Sequence, residues 1–233
     1  MMFPVAILCG GLATRLRPIT EKIPKALVEI AGEPFIAHQL KLLKRNDIEK
    51  VVLCVAYCGE MIREVIGDGS KFGLQINYSF DGEVLLGTGG SLKKAIYLLG
   101  DSFFVLYGDS YLDCDYRSVQ TAFERSGKSA LMTVFLNENR WDKSNVLFVN
   151  GSIVSYDKKN LKPEMEHIDY GLGIFKSKVF KTVSENTAYD LADIYKNLAH
   201  NGDLAGYEVA QRFYEIGSKE GLEETIKYME EKE

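Results

Sequence analysis

Short apolar runs alternate with amphipathic stretches through the first half of the chain. Four of the runs, "VAIL", "KVVLCVAY", "LQINYSF" and "SFFVLYGDSYL", have the length and composition of buried strands. The stretches between them predict helices, and in "GEPFIAHQLKLLKRNDI" the apolar residues Ile36, Leu40 and Leu43 recur at helical spacing. Strands and helices that alternate in this way form a mostly parallel sheet with helices on both faces. The predicted fold class is therefore α/β and Rossmann-like.

The pattern is less regular in the second half. A helix is predicted at "YRSVQTAFERSG", a strand at "SALMTVFLN" and a hairpin around Asn150-Gly151, a dipeptide typical of tight turns. We interpret this β-hairpin as an insertion that walls off one side of a pocket. The last predicted strand is "DYGLGIFKSKVF", and the tail "GSKEGLEETIKYMEEKE" predicts an amphipathic helix.

Composition narrows the class of protein. The chain of 233 residues, 46% of them hydrophobic, is long enough to bury a core, and no linker or repeat divides it, so a single domain over 1–233 is predicted. A net charge of −5 argues against nucleic acid or an acidic membrane surface as a partner. The four cysteines form no C-x-x-C pair and no stretch predicts a signal peptide or a membrane span, which favours a cytoplasmic protein with free thiols.

The first predicted strand ends in a stretch with unusual chemistry, "CGGLATRLRPITEKIPKAL". Gly10 and Gly11 permit a tight turn whose N–H groups can approach an anion, and Arg15 and Lys25 add positive charge. This combination predicts a phosphate site. The spacing matches neither the P-loop nor the dinucleotide-binding glycine pattern, which argues against both classes.

Two further features fall where strands end. "LGTGG" at 86–90 is a second glycine-rich turn before a helix, and Gly108-Asp109 follows an apolar strand. A carboxylate at that point could hold Mg²⁺, which prefers a few carboxylates together with phosphate oxygens. Each feature alone has an ordinary explanation, because glycine turns are common and an aspartate after a strand often caps the next helix.

Together and in this order, the features resemble the sugar-1-phosphate nucleotidylyltransferases. The signature of that family, G-G-x-G-T-R-L-x-P-L-T followed by P-K, is similar to "GGLATRLRPIT" with Pro24-Lys25, and "LGTGG" and "GD" follow. The resemblance is greatest to short heptose-1-phosphate guanylyltransferases. It implies a glycosyltransferase-A-like nucleotidyltransferase fold. The implied reaction is Mg²⁺-dependent transfer of a nucleoside monophosphate from an NTP to a sugar 1-phosphate, which gives an NDP-sugar, for example for cell-surface polysaccharides, and pyrophosphate.

The resemblance also implies roles for individual residues. The catalytic set is Arg15, Lys25 and Asp109. The residues expected to contact the nucleotide are Leu8, Gly10, Gly11, Thr14, Gly87, Thr88 and Gly89. Those expected at the sugar phosphate are Lys158, with Lys159 as the alternative, Asp169 and Gly171. Asp109 and Glu215 are the expected metal ligands.

Two positions depart from the pattern of the family. Ala13 replaces the usual third glycine, and Glu215 in "FYEIGS" replaces a second metal-binding aspartate. Glu215 is either that ligand or an edge-strand residue facing solvent; in the second case Asp109 acts alone or with another acid such as Asp113. As a ligand, Glu215 changed to Gln should raise the Mg²⁺ requirement with little change in melting temperature.

The substrates are less narrowly defined. "LCGG" at the first turn favours guanine, and uridylyl or cytidylyl transfer is the alternative within the family. A non-catalytic nucleotide- or sugar-phosphate-binding regulator on the same fold is an alternative from another class; Ala13 and Glu215 fit it, whereas the intact Arg15, Lys25 and Asp109 argue against it. The sequence does not define the sugar, and it leaves homo-oligomerisation open.

Overall fold

The computed structural model describes residues 1–11 and 14–232, and strands and helices follow one another through most of that part of the chain. The strands are β1 (Val5–Leu8), β2 (Glu29–Ile30), β3 (Glu33–Pro34), β4 (Lys50–Val55), β5 (Gln75–Phe80), β6 (Ser102–Tyr107), β7 (Ser110–Tyr111), β8 (Ala130–Leu136), β9 (Val146–Val149), β10 (Ser152–Tyr156), β11 (His167–Lys176), β12 (Leu204–Val209) and β13 (Tyr214–Glu215). The α-helices are α1 (Phe35–Arg45), α2 (Gly59–Ile66), α3 (Gly87–Leu99), α4 (Tyr116–Ser126), α5 (Leu191–His200) and α6 (Lys219–Glu230).

One large sheet organises the described residues, with the strand order β5-β4-β1-β6-β11-β8-β12-β10-β9. Strands β5, β4, β1 and β6 pair in parallel, and β8 pairs in parallel with β12. Strand β11 runs antiparallel to β6 and β8, and β10 runs antiparallel to β12 and β9. The sheet is therefore mixed, because β10 and β11 run opposite to its other strands. The predicted α/β class is confirmed.

Helices cover both faces of the sheet, because successive side chains of each buried strand point to opposite sides. In β1, Val5 and Ile7 join the core beneath α1, α2 and α4, whereas Ala6 joins the core beneath α3 and α5. A third apolar cluster packs α6 against the segment that follows β1, through Leu222 and Leu16. The C-terminal helix thus supports the loop that contains the candidate phosphate site.

The hairpin interpretation needs a correction. The turn forms as predicted, with left-handed φ of 49° at Asn150 and 79° at Gly151. However, β9 and β10 form the edge of the main sheet through pairings with β11 and β12, so they are not a separate insertion. Among the described residues, neither strand of the hairpin lines the main cleft.

The prediction that β11 is the last strand is wrong, because β12 follows it and inserts between β8 and β10. Its sequence, "LAGYEV", has a glycine in the middle, which weakens a strand signal. The contact explains the glycine: a Cβ on Gly206 would lie 2.5 Å from Cε2 of Phe148. None of the helices in residues 1–11 and 14–232 has the length and hydropathy that spanning a bilayer requires.

Candidate active site

A cleft of about 340 Å³ opens at the carboxyl ends of β1, β5 and β6. This is the edge at which open α/β sheets bind ligands, because loops and helix N-termini meet there. The described lining residues are Leu8, Cys9, Gly10, Gly11, Lys25, Ala26, Asp81, Leu85, Gly87, Thr88, Ser91, Tyr107, Gly108 and Asp109. Residues of all three sequence features, the first glycine turn with Lys25, "LGTGG" and Gly108-Asp109, therefore line one cleft.

Gly108 brings Asp109 next to the end of β1. Its N–H donates to the Leu8 carbonyl at 3.0 Å, and a Cβ at this position would lie 2.6 Å from the Leu8 oxygen. A side chain here would push the two strand ends apart. The glycine in "GD" is thus required by a close backbone approach, and the carboxylate after it lies at the mouth of the cleft.

Lys25 and Asp109 form an ion pair inside the cleft, with Lys25 Nζ 2.9 Å from Asp109 Oδ2. The two side chains are 16% and 31% exposed, so both stay accessible to a ligand. Lys25 begins the short 3₁₀ helix Lys25–Leu27 directly after Pro24, whose ring holds φ near the −65° observed there. The Pro-Lys dipeptide therefore positions the lysine at the entrance of this helix.

Arg15 and Glu215 reach the same place from other segments. A Cβ on Gly217 would lie 3.0 Å from Arg15 Nη2, 3.2 Å from Asp109 Oδ2 and 2.5 Å from Glu215 Oε2. Three of the four side chains that the sequence predicted for catalysis and metal binding thus converge on Gly217, and the fourth, Lys25, pairs with Asp109. In the described part of the chain, Arg15 forms no ion pair with a carboxylate, which leaves its guanidinium available to an anion.

Glu215 is half-buried, and its carboxylate contacts the start of α6, which argues against a side chain lying free on the surface. Oε2 accepts from the Gly217 N–H and Oε1 accepts from Ser218 Oγ at 2.6 Å. Ser218 is the N-cap residue of α6, so Glu215 fixes the start of that helix. The alternative acid, Asp113, pairs with Lys232.

Because both oxygens of Glu215 are used, the expectation of an unchanged melting temperature no longer holds. We expect Glu215→Gln to lower the melting temperature by about 2–4 °C per kcal/mol of hydrogen bonding lost, since an amide can accept through one atom only. Differential scanning calorimetry measures this, with Glu223→Gln as the control, because Glu223 is an exposed glutamate of α6 outside its first turn. Equal melting temperatures for both variants would contradict a capping role.

The glycines of "LGTGG" have a role that the sequence did not indicate. The Gly89 and Gly90 N–H groups donate to the Tyr189 carbonyl at 2.8 and 3.2 Å, and Thr88 Oγ1 donates to Asp190 Oδ1 at 3.0 Å. The Gly89 N–H is therefore not available as a donor to a nucleotide, and the predicted contact of Gly89 with the nucleotide stays a prediction. Close packing of the segment before α5 explains the glycines, while Gly87 and Thr88 still line the cleft.

Other predicted nucleotide contacts divide into two groups. Leu8, Gly10 and Gly11 line the cleft as expected. Thr14 begins the 3₁₀ helix Thr14–Leu16 and is not among the described lining residues. Ala13, the departure from the glycine signature, lies outside the described residues.

The sugar-phosphate candidates lie beside the cleft, next to Tyr107. Lys158 Nζ is 3.9 Å from Asp169 Oδ2 and 5.3 Å from the centre of the Tyr107 ring. Asp169, whose side chain is 4% exposed, also accepts from the Gly171 N–H at 3.1 Å and from the Tyr156 hydroxyl at 3.3 Å. These contacts assign Asp169 to holding Lys158 and its own loop, and they favour Lys158 over Lys159.

Asp81 and Ser91 are cleft residues that sequence reasoning missed. Asp81 directly follows β5 and is 7% exposed; its carboxylate accepts from Ser91 Oγ at 2.7 Å and from the Leu86 N–H at 3.1 Å. The available signal was its position, because Asp81 follows a parallel strand as Asp109 does. A buried acceptor therefore lies on the cleft wall between the two glycine turns.

Two other residues of the cleft wall have side chains whose pKa values are raised. Burial raises the pKa of the Cys9 thiol to about 12, and the nearby charge of Asp109 adds to the effect. Burial also raises the pKa of Tyr107 well above 10, with further contributions from the acidic side chains around it. At neutral pH both groups stay protonated, so neither supplies a nucleophile.

A glycine turn with a lysine, an arginine and an aspartate at the carboxyl edge of an α/β sheet is typical of proteins that bind phosphorylated ligands. The sequence profile described as "Nucleotidyl transferase" matches residues 5–232. The chain therefore belongs to the nucleotidyl transferase family, which confirms the resemblance inferred from its motifs.

Individual relatives agree in enzyme class and differ in substrate. The chain is 30% identical to the D-glycero-alpha-D-manno-heptose 1-phosphate guanylyltransferase of Campylobacter jejuni, over 82% of this chain and 86% of that protein. It is also 30% identical to a UTP--glucose-1-phosphate uridylyltransferase of Synechocystis, over 89% of this chain but 58% of that longer protein. The crystal structure of HddC from Yersinia pseudotuberculosis superposes with a TM-score of 0.81 at 21% identity, over 98% of this chain and 100% of that one.

Proposed function

We propose that this protein transfers a nucleoside monophosphate from an NTP to a sugar 1-phosphate, releasing pyrophosphate. The observation that supports this most is the Lys25–Asp109 ion pair, which shares the cleft with the glycine turn and has the Arg15 guanidinium close to Asp109. The relatives named above are nucleotidyltransferases, which agrees with the chemistry of this arrangement. The free state of all four cysteines fits action in the cytoplasm.

The reaction is an in-line displacement at the α-phosphorus, with the sugar phosphate oxygen as the attacking atom. Since the attacking group is already an anion, the protein needs no nucleophile or base of its own and contributes position and charge. Lys25 and Arg15 bind the triphosphate and offset the charge that develops on the pyrophosphate. The Gly10 and Gly11 backbone holds the nucleotide close to β1.

Asp109 is the proposed ligand for Mg²⁺, and Glu215, whose Oε2 lies beside the same glycine as Asp109 Oδ2, is the proposed second ligand. Such a donor set fits the ion, which proteins bind through one or two carboxylates while phosphate oxygens and water complete the shell. No group of three or more His, Cys, Asp or Glu side chains suited to a metal occurs among the described residues, so a metal held by protein atoms alone is not proposed. When bound, Mg²⁺ would neutralise phosphate charge.

Asp81 supports guanine as the base, because its carboxylate lines the cleft and has acceptor sites beyond those used by Ser91 and Leu86. An ionised carboxylate only accepts hydrogen bonds, and guanine presents two adjacent N–H donors on its Watson–Crick edge. Uracil presents one donor between two carbonyl oxygens, which would repel a carboxylate. GTP is therefore the proposed donor, with UTP or CTP as the alternative.

Replacing Asp81 with Asn should lower kcat/KM for GTP by roughly 10–100-fold, the value of one bidentate base contact, and lower the ratio of GTP to UTP turnover. Competition assays with both nucleotides measure the ratio, which does not depend on the fraction of folded protein. An unchanged ratio would remove Asp81 from base selection.

The acceptor is proposed to be a sugar 1-phosphate bound beside Lys158, which lies next to the cleft and has a charge suited to the phosphate. The heptose 1-phosphate used by the C. jejuni relative is the first candidate. Assays of four NTPs against heptose and hexose 1-phosphates, with product mass as the readout, test the proposal. Tight nucleotide binding without any sugar nucleotide would instead support a non-catalytic regulator.

A further inference from the structure

Gln39 is a buried polar residue on an otherwise apolar helix face. The other buried residues of α1 are all hydrophobic, and Gln39 itself is 0% exposed. Burying an amide costs free energy unless hydrogen bonds replace those to water. A residue of this kind in a core is therefore explained by what it contacts.

The contacts of Gln39 bracket Asp109. Its Nε2 donates to the Tyr107 carbonyl at 3.0 Å and to the Ser110 carbonyl at 2.8 Å. Tyr107 ends β6 and Ser110 begins β7, so one amide group joins the residues on either side of Gly108-Asp109. Both acceptors are carbonyl oxygens, so it is the NH₂ side of the amide that faces them.

The oxygen of the Gln39 amide shows that this position requires a hydrogen-bond donor and not an acceptor. In the described part of the chain, Gln39 Oε1 is buried and has no hydrogen-bond partner. The two donors are used and the acceptor is not. Among side chains of this length and shape, methionine has no donor and glutamate would present oxygens to two carbonyls.

The Gly108-Asp109 turn also forms backbone hydrogen bonds with two other segments. The Gly108 N–H donates to Leu8 of β1 at 3.0 Å, and the Ile216 N–H, next to β13, donates to the Asp109 carbonyl at 2.8 Å. Gln39 supplies the third contact with the turn, from helix α1. The three contacts fix the backbone from which the Asp109 carboxylate extends toward Lys25.

We propose that Gln39 is a positioning residue that sets the orientation of Asp109 by joining the two ends of its turn. The expected loss of rate rests on the proposed function, whereas the expected loosening of the turn does not. A displacement of about 1 Å in a reacting site can cost about 100-fold in rate, so a loosened turn should be visible in kcat.

The test compares Gln39→Met with Gln120→Met. Gln120 is a second buried glutamine, 8% exposed, in α4; its Nε2 donates to the Met1 carbonyl and to Glu124 one turn along the same helix, and its Oε1 accepts from the Phe3 N–H at 2.9 Å. Each substitution keeps the volume and removes a buried amide with two donated bonds. Hydrogen–deuterium exchange of residues 107–111 and steady-state kinetics are measured for both.

For Gln39→Met we expect at least about tenfold faster exchange in the 107–111 segment and a kcat about 10–100-fold lower, with KM for the nucleotide within about twofold of the parent. Gln120→Met should change neither. Unchanged exchange at 107–111 in Gln39→Met, or faster exchange with an unchanged kcat, would overturn the proposal. If the parent turns over no substrate, the proposed function fails, and the exchange comparison still decides whether Gln39 holds the turn.

Discussion

Asp109→Asn is expected to lower kcat by at least about 10³-fold, which corresponds to roughly 4 kcal/mol of lost transition-state stabilisation. The substitution keeps the size of the side chain and removes the negative charge that is proposed to hold Mg²⁺. It also removes the ionic part of the contact with Lys25, whose Nζ lies 2.9 Å from Oδ2. Steady-state kinetics across a range of Mg²⁺ concentrations measure the effect.

The fold should survive this change, because a partly exposed ion pair contributes about 1 kcal/mol or less, equivalent to a shift of about 2–4 °C in melting temperature. Asp113→Asn is the matched control: Asp113 pairs with Lys232 and lies four residues further along the chain. The control should retain activity. An Asp109→Asn enzyme with parental kcat, or a loss confined to Asp113→Asn, would show that the carboxylate was assigned to the wrong residue.

The second large effect is expected at Lys25. Lys25→Met should lower kcat by about 10²–10³-fold, the range found when one charge-stabilising group is removed from an active site. Lys25 is 16% exposed within the cleft, so solvent screens its charge less than that of a surface lysine. Single-turnover measurements of pyrophosphate formation separate this loss from any change in nucleotide binding.

Lys22→Met is the matched control, since Lys22 is an exposed lysine in the same segment. It removes the same charge without entering the cleft, and its rate should stay within about twofold of the parent because exposed charges are screened. Equal losses in the two variants would mean that the segment contributes only its overall charge. A normal rate in Lys25→Met would remove this residue from the catalytic set.

The sequence predicted the parallel half of the fold well, because the signals there are local. Val5, Ala6 and Ile7 are all apolar since β1 is buried on both faces, and this continuous run is visible without knowledge of the neighbouring strands. Strand β12 could not be found in this way. Its central Gly206 is explained by the ring of Phe148, a contact between residues far apart in the chain.

The same distinction applies to the site. Gly10, Arg15 and Lys25 lie within one short segment, so their spacing could be recognised. Gln39 and Asp81 gain their significance from tertiary contacts, and a glutamine in a helix or an aspartate after a strand has many ordinary roles. Glu215 was recognised by position, but the orientation of its carboxylate toward the start of α6 required the structure.

The proposed reaction forms a bond between the sugar phosphate and the α-phosphorus of a nucleoside triphosphate. The most direct test incubates the protein and Mg²⁺ with heptose and hexose 1-phosphates and each of the four common NTPs, labelled at either the α- or the γ-phosphorus. We expect the α-label to enter a sugar nucleotide and the γ-label to be recovered in pyrophosphate, most rapidly with GTP. Transfer of the γ-label to the sugar, release of labelled orthophosphate, or no transfer with any pair would contradict it.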